Sequence, residues 1–157
     1  MKYTREQIQA ASEKLGHKYF TQGVLNVNII GIRNSDTNGK VTNKFDDTMT
    51  ISYMDNNMQW QYNEYNCTTD PGDDHVDNPM MEKGVAILKP GQYSGINIHR
   101  ATALSGKTST YIDRWSAGCQ VIASNDDWHE FLNICQEARS EWSNSFTYTL
   151  IESKDIS

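Results

Sequence analysis

A histidine and a cysteine, placed at the ends of two predicted strands, are the residues of this chain best suited to chemistry. His99 closes an alternating apolar segment, and Cys119 begins a second one that continues to Ile122. A thiol is an effective nucleophile only as a thiolate, and a neighbouring imidazole is a common means of lowering its pKa. Gly118 allows a tight turn in which backbone N–H groups could hold a developing oxyanion. The segment therefore offers a base, a nucleophile and an oxyanion hole.

The order of these residues resembles a known catalytic signature. His99 is followed, after sixteen residues, by Ser116-Ala117-Gly118-Cys119 and an apolar strand, which is similar to the His…Ser-x-Gly-Cys motif of the L,D-transpeptidase catalytic domain. The pattern Asn-Ile-His…Trp-Ser-Ala-Gly-Cys-Gln also resembles that of small phage-encoded proteins. The motif covers about 25 residues within the stretch 95–122, and the rest of the chain matches only in its β-rich layout. The resemblance implies an enzyme that attacks peptidoglycan stem peptides through a cysteine acyl-enzyme.

The resemblance also implies roles for individual residues. Cys119 would be the nucleophile and His99 the base, with Ser116 and Gly118 completing the motif and the N–H groups of Gly118 and Cys119 holding the oxyanion. Asp113 is a candidate for orienting His99, although a backbone carbonyl often takes that part in the transpeptidase family. Three residues that flank the motif are candidates for substrate binding: Arg100, Arg114 and Trp115.

One position departs from the family pattern, and two other functions stay open. Val121 stands where the family usually carries an arginine, so a substrate carboxylate must be bound elsewhere or not at all. A metal-dependent wall hydrolase would use His75, His99 and the aspartates of the acidic loop Asp73–Asp77. The spacing in that loop matches neither an EF-hand nor a zinc-peptidase helix, so we expect no metal and no cofactor. The third reading is a non-enzymatic phage structural or binding protein that has kept the fold and lost the activity.

Composition and charge narrow the class of protein and its partners. The net charge of −6 argues against a nucleic-acid surface, which needs clustered cations. Of the three cysteines, Cys135 is expected in the core because it lies on an apolar helix face. Cys67 is also expected to be structural, because it ends a predicted strand with no histidine or glycine turn beside it. No apolar signal region and no membrane span are found, which predicts a protein that is cytoplasmic as synthesised. We expect it to be a monomer. It would act on the cell wall after release, like a phage lysin or an injected antibacterial toxin.

The pattern of the whole chain predicts a single α+β domain over residues 1–157. The expected core is mostly antiparallel and β-rich, a sandwich or a barrel like that of the L,D-transpeptidases, with one helix near each end. A capping box formed by Thr4 and Gln7 begins the first predicted helix, which runs from residue 5 to about residue 20 and is ended by Gly23. The second helix follows a cap at Ser124 or Asn125, with His129 on its polar side. Its predicted apolar face consists of Trp128, Phe131, Leu132, Cys135 and Ala138. Arg33 is expected to be solvated and residues 152–157 to form a loose tail. The predicted strands are 24–33, 48–54, 58–67, 84–88, 93–99, 119–122 and 145–151. The second and third of these are expected to form a hairpin across the turn residues 55–57.

Overall fold

The protein is built from a mixed β-sheet with one helix against each face. The computed structural model describes residues 1–36, 44–69, 81–82, 85–86, 98–100, 120–142, 146 and 148–157, and only the backbone of 81–82, 85–86 and 98–100. The α+β, β-rich class predicted from the sequence is confirmed. The helices are α1 (Arg5–Lys14) and α2 (Asn125–Glu141), and the strands are β1 (Asn28–Arg33), β2 (Asp47–Met54), β3 (Trp60–Thr68), β4 (Met81–Glu82), β5 (Val85–Ala86), β6 (Ile98–Arg100), β7 (Gln120–Ile122) and β8 (Tyr148–Glu152).

The sheet has the strand order β6-β7-β3-β2-β1-β8, while β4 and β5 pair with each other separately. The β1–β2, β2–β3 and β3–β7 pairs are antiparallel, and β2 and β3 form the predicted hairpin across the turn at Asp55. The β1–β8 and β6–β7 pairs are parallel. The sheet is therefore more mixed than the sequence pattern suggested, because both edge strands are added in parallel.

A hydrogen bond between distant strands shows that the sheet is strongly curled. In a flat sheet, the four steps from β8 to β7 would separate these strands by about 19 Å, at about 4.8 Å a step. The hydroxyl of Tyr148 in β8 nevertheless lies 2.9 Å from Oε1 of Gln120 in β7. Two side chains can meet in this way only if the sheet bends toward the face that they share. Within the described residues β6 and β8 remain its two edges, so the sheet is an open half-barrel there.

Each face of the sheet buries its own apolar core. On one face, α2 packs against the sheet through Phe131, Ile134, Cys135 and Ala138. On the other face, the α1 residues Ile8 and Ala11 form a core with residues of β1 and β8. Because successive strand residues point to opposite faces, Ile29 of β1 belongs to the first core, whereas Ile30 and Ile32 belong to the second.

Helix α1 ends earlier than its apolar periodicity predicts. Its start is the predicted capping box, in which Thr4 and Gln7 bond each other's backbone N–H groups. It ends with Gly16 at φ +83°, where the Gly16 and His17 N–H groups donate to carbonyls of the last turn. The predicted end at Gly23 is therefore wrong. Tyr19 fits the periodicity because it is buried after the chain has turned, not because the helix continues.

Helix α2 follows its prediction more closely. Ser124 is the N-cap, and its side chain accepts the N–H of Asp127 at 3.3 Å. The buried face includes Ile134, which the predicted face omitted, while Leu132 is only partly buried. His129 is exposed, as predicted. The apolar stripe is thus rotated slightly from the predicted one.

The predicted bounds of two other segments need correction. β1 begins at Asn28, and Val24 forms only an isolated bridge with Met54. The last residues are not loose. A 3-10 turn at Ser153–Asp155 is held by reciprocal bonds with Ser35, whose N–H donates to Ser153 Oγ and whose Oγ accepts from Lys154 N–H. These hydrogen bonds join residues that are far apart in the chain, so the local sequence does not predict them.

Candidate functional site

The structure places two of the eight predicted site residues, His99 and Arg100, in the edge strand β6, where it describes their backbone. The other six lie outside the described residues: Asp113, Arg114, Trp115, Ser116, Gly118 and Cys119. The residues of the alternative metal site, in the loop Asp73–Asp77, also lie outside them. The contact of His99 with the Cys119 thiol therefore stays a prediction.

The pairing of β6 with β7 relates the two halves of the motif. These strands are parallel neighbours, with His99 opposite Val121 and Ile98 opposite Gln120. Cys119 directly precedes β7 in the sequence, so the backbone of His99 lies beside the residue two positions after the cysteine. Residues 101–119 make the connection, and a parallel pair requires a crossover of about a dozen residues or more. A strand pair of this kind allows a base and a nucleophile far apart in sequence to share one end of a sheet.

The first residue of β7 is held by a side-chain bond to the opposite edge of the sheet. Gln120 is only 2% exposed, and its Oε1 accepts the hydroxyl of Tyr148 at 2.9 Å. Tyr148 passes over Gly31 of β1, where a Cβ would overlap the tyrosine hydroxyl. Burial is the main reason that the pKa of Tyr148 is raised well above its ordinary value, so this hydroxyl remains a donor. Sequence reasoning missed both residues, although a glutamine directly after a candidate nucleophile is an unusual choice for a buried strand.

A second polar group, which we call the Asp47 network, lies at the same end of the sheet. Because β3 and β7 are antiparallel, Thr69, just after β3, lies toward the start of β7. Asp47 accepts the N–H and the hydroxyl of Thr69 through Oδ2 and the N–H of Asn34 through Oδ1, each at 2.8 Å. The Arg33 guanidinium donates to Thr69 Oγ1 and to the Thr69 carbonyl, at 2.9 and 2.8 Å. Arg33 is thus not the solvated residue that its strand-end position predicted.

Burial and hydrogen bonding shift the pKa of the Asp47 carboxyl group in opposite directions. Burial of the carboxyl, which is 1% exposed, is the largest effect and raises its pKa above the ordinary value. Hydrogen bonds from Asn34 and Thr69 oppose this shift, while Asp46 adds to it. An arginine, a buried carboxyl and a threonine hydroxyl therefore form a fixed polar support beneath the strand ends, rather than a set of solvated side chains.

The two described cysteines are unsuited to nucleophilic chemistry. Cys67 is fully buried in the core on the α2 face, and Cys135 is packed in the same core. Burial raises the pKa of the Cys135 thiol to about 11, which leaves almost no thiolate near neutral pH. The structural role predicted for both residues is confirmed. Cys119 is the one cysteine left for which the sequence offers a neighbouring histidine and a glycine turn.

Among the residues that the structure describes, no three His, Cys, Asp or Glu side chains are grouped closely enough to hold a metal ion. None of the described helices is long and apolar enough to cross a membrane. The strand register places the candidate site at the sheet end where β6 and β7 pair.

Comparisons of the chain with protein-family models, with curated proteins and with solved structures each found no match.

Proposed function

We propose that this protein is a cysteine-dependent acyl-transfer enzyme that acts on peptidoglycan stem peptides, with an L,D-transpeptidase-like domain. The observation that carries the proposal is the parallel β6–β7 pair, in which the backbone of His99 lies opposite Val121. Together with the motif resemblance around Ser116 and Cys119, this pairing favours a histidine–cysteine site over two unrelated residues. The burial of Cys67 and Cys135 supports the choice of Cys119 as the nucleophile.

The proposed reaction proceeds through a thioester. His99 takes the proton of the Cys119 thiol, and the sulfur attacks the carbonyl carbon of a stem-peptide amide. The N–H groups of Gly118 and Cys119 stabilise the oxyanion of the tetrahedral intermediate. The protonated imidazole then gives its proton to the departing amine, which leaves the acyl group on sulfur. Water or a second amine attacks the thioester and regenerates the free thiol.

Hydrolysis is the outcome we favour over cross-linking. A lysin or an antibacterial toxin gains from cutting the wall, and nothing in the motif requires an amine acceptor. The substrate carboxylate has to be bound without the family arginine, since the corresponding residue, Val121, is fully buried. Arg100 and Arg114 are the proposed substitutes, and Trp115 would contact the peptide.

Mass spectrometry of muropeptides incubated with the protein tests this function. We expect loss of an amino acid or opening of a peptide cross-link with the wild-type protein. Cys119→Ala should abolish the change, and His99→Ala should reduce it by about 10²-fold or more, the usual contribution of a general base. Cys135→Ala is the matched control, because it removes a thiol from the core and should leave turnover of the folded protein unchanged.

The same experiment separates the alternatives. Full activity in Cys119→Ala, lost with a chelator and restored by Zn²⁺, would replace the thiol mechanism with a metal-dependent hydrolase. Release of reducing sugar ends would indicate a glycosidase. No change of any muropeptide by the wild-type protein would favour the non-enzymatic phage protein.

A further inference from the structure

The side-chain amide of Gln120 is buried at the start of β7 at a cost to stability. It is 2% exposed, and its Nε2 has no hydrogen-bond partner within the described part of the chain. A buried donor without a partner loses its hydration and gains little in return. An apolar residue would fill the same position without that cost, so the amide needs another reason to be there.

The strand ladder holds Gln120 on one side only. The β6–β7 ladder includes Ile98 and Gln120, whereas the β3–β7 ladder consists of the Val121–Thr68 and Ile122–Cys67 pairs. The side-chain bond to Tyr148 therefore adds a tether where the second ladder has ended. The bond crosses the concave face of the half-barrel. It therefore connects the start of β7 directly to β8, the edge strand that lies four steps away in the sheet.

The tether is also restricted sterically. The hydroxyl of Tyr148 occupies the space that a Cβ at Gly31 would need, so the glycine leaves room for this one tyrosine orientation. With the hydroxyl donating to Oε1, the Gln120 amide has a fixed orientation as well. Gly31 of β1 thus leaves room for Tyr148 of β8, and Tyr148 fixes the side chain of Gln120 in β7.

We propose that Gln120 and Tyr148 are positioning residues for the cysteine that precedes β7. Their hydrogen bond holds Gln120, which directly follows Cys119 in the sequence and pairs with Ile98 of the strand that carries His99. The inference rests on the proposed role of Cys119 as nucleophile. Its consequence is a property of the thiol itself, so it can be measured without any peptidoglycan substrate.

The test is the pH profile of Cys119 alkylation by iodoacetamide, followed by peptide mapping so that Cys67 and Cys135 are counted separately. Tyr148→Phe removes only the donor, and Gln120→Met removes the acceptor with little change of side-chain length. Each should lower the alkylation rate near neutral pH by about tenfold and move the profile up by about one pH unit, because a misplaced imidazole stabilises the thiolate less. The double variant should show no further loss, since both changes break one bond.

Tyr19→Phe is the matched control. Its hydroxyl is buried and shares a 2.6 Å hydrogen bond with Ser52, away from β7, so its loss should lower stability without moving the Cys119 profile. Urea unfolding of every variant verifies that the alkylated protein is folded, and Gln120→Met decides the matter if Tyr148→Phe does not fold.

Two results would overturn the inference: profiles that are the same in Tyr148→Phe and Tyr19→Phe, or a wild-type Cys119 that reacts like an ordinary thiol. A shifted profile in a protein that leaves muropeptides unchanged would refute the proposed function alone. Turnover that requires Cys119, with a profile insensitive to Tyr148, would refute this inference alone.

Discussion

At the scale of single residues, the sequence indicates which residues are candidates for chemistry, but it does not indicate which residues support the strands beside them. His99, Cys119 and the glycine before the cysteine are found by residue type and spacing. Arg33 was expected in solvent because it ends a strand, yet it binds Thr69 beside the buried Asp47. Its partner lies 36 residues away, and only the pairing of β1 with β2 and of β2 with β3 brings the two together. Contacts of that kind have no local signal.

Gly31 provides a prediction at this scale. Gly31→Ala should destabilise the protein by about 1–3 kcal/mol, because the new methyl group overlaps the Tyr148 hydroxyl in a packed core. In a Tyr148→Phe background the loss should be smaller, since the overlapping oxygen is gone and the nearest ring carbon is 3.0 Å away. Urea unfolding of the four proteins in this cycle measures the coupling. An equal loss in both backgrounds would mean that the glycine is required for some reason other than Tyr148.

At the scale of elements, the sequence predicted types better than ends and pairings. The β2–β3 hairpin was evident because turn residues stand between two strand-forming runs, and Asp55 indeed accepts the N–H groups of Asn57 and Gln59. The predicted end of α1 is wrong, because Tyr19 continues the apolar period although the helix ends at Lys14, just before the turn at Gly16. The parallel addition of β8 to β1 could not be read at all, since more than a hundred residues separate them. The periodicity of apolar residues predicts which side chains are buried, but it does not predict which strands pair with each other.

The N-cap residue Ser124 allows a test of how much one capping hydrogen bond contributes to the stability of α2. Ser124→Ala removes the acceptor for the Asp127 N–H and should cost about 1 kcal/mol of unfolding free energy. Because α2 carries the core face that includes Phe131, the loss should appear in the global unfolding transition rather than as local fraying. Ser140→Ala, on the exposed side of the same helix, should change stability by less than about 0.5 kcal/mol. Equal effects at the two serines would show that the cap contributes nothing specific.

At the scale of the whole molecule, the curl of the sheet brings β8 close enough to hold the start of β7, next to the candidate site. Composition and strand count predicted a sandwich or a barrel, both of which place strands on more than one side of a core. The described strands form an open half-barrel, with α2 packed against one face of the sheet and α1 against the other. The curl follows from contacts such as Tyr148–Gln120, which span four inter-strand steps, and no segment shorter than the whole sheet contains that information.

The titration of tyrosine hydroxyls should make the protein unusually sensitive to alkali. All six tyrosines in the described part have a pKa raised above the ordinary value of 10, with burial as the largest cause in each. Hydrogen bonds to Glu64 and Glu130 raise the pKa of Tyr62 and Tyr65 further, because their hydroxyls must donate. These tyrosines are Tyr3, Tyr19, Tyr53, Tyr62, Tyr65 and Tyr148.

The direction of the pH dependence follows from which state keeps its protons. Above about pH 10 the unfolded chain releases tyrosine protons that the folded protein retains, so the free energy of unfolding must decrease as pH rises. The stabilising contribution is complete below the unfolded pKa and is lost as pH rises toward the folded values. We therefore expect the urea midpoint to be steady near pH 8 to 9 and to fall steeply above about pH 10. The tyrosinate absorbance of these six residues should appear together with the loss of circular dichroism rather than before it, and Tyr62→Phe should make the fall less steep. Full tyrosinate formation in a protein that keeps its native circular dichroism would show that these hydroxyls are open to solvent and would contradict the packing described for both faces of the sheet.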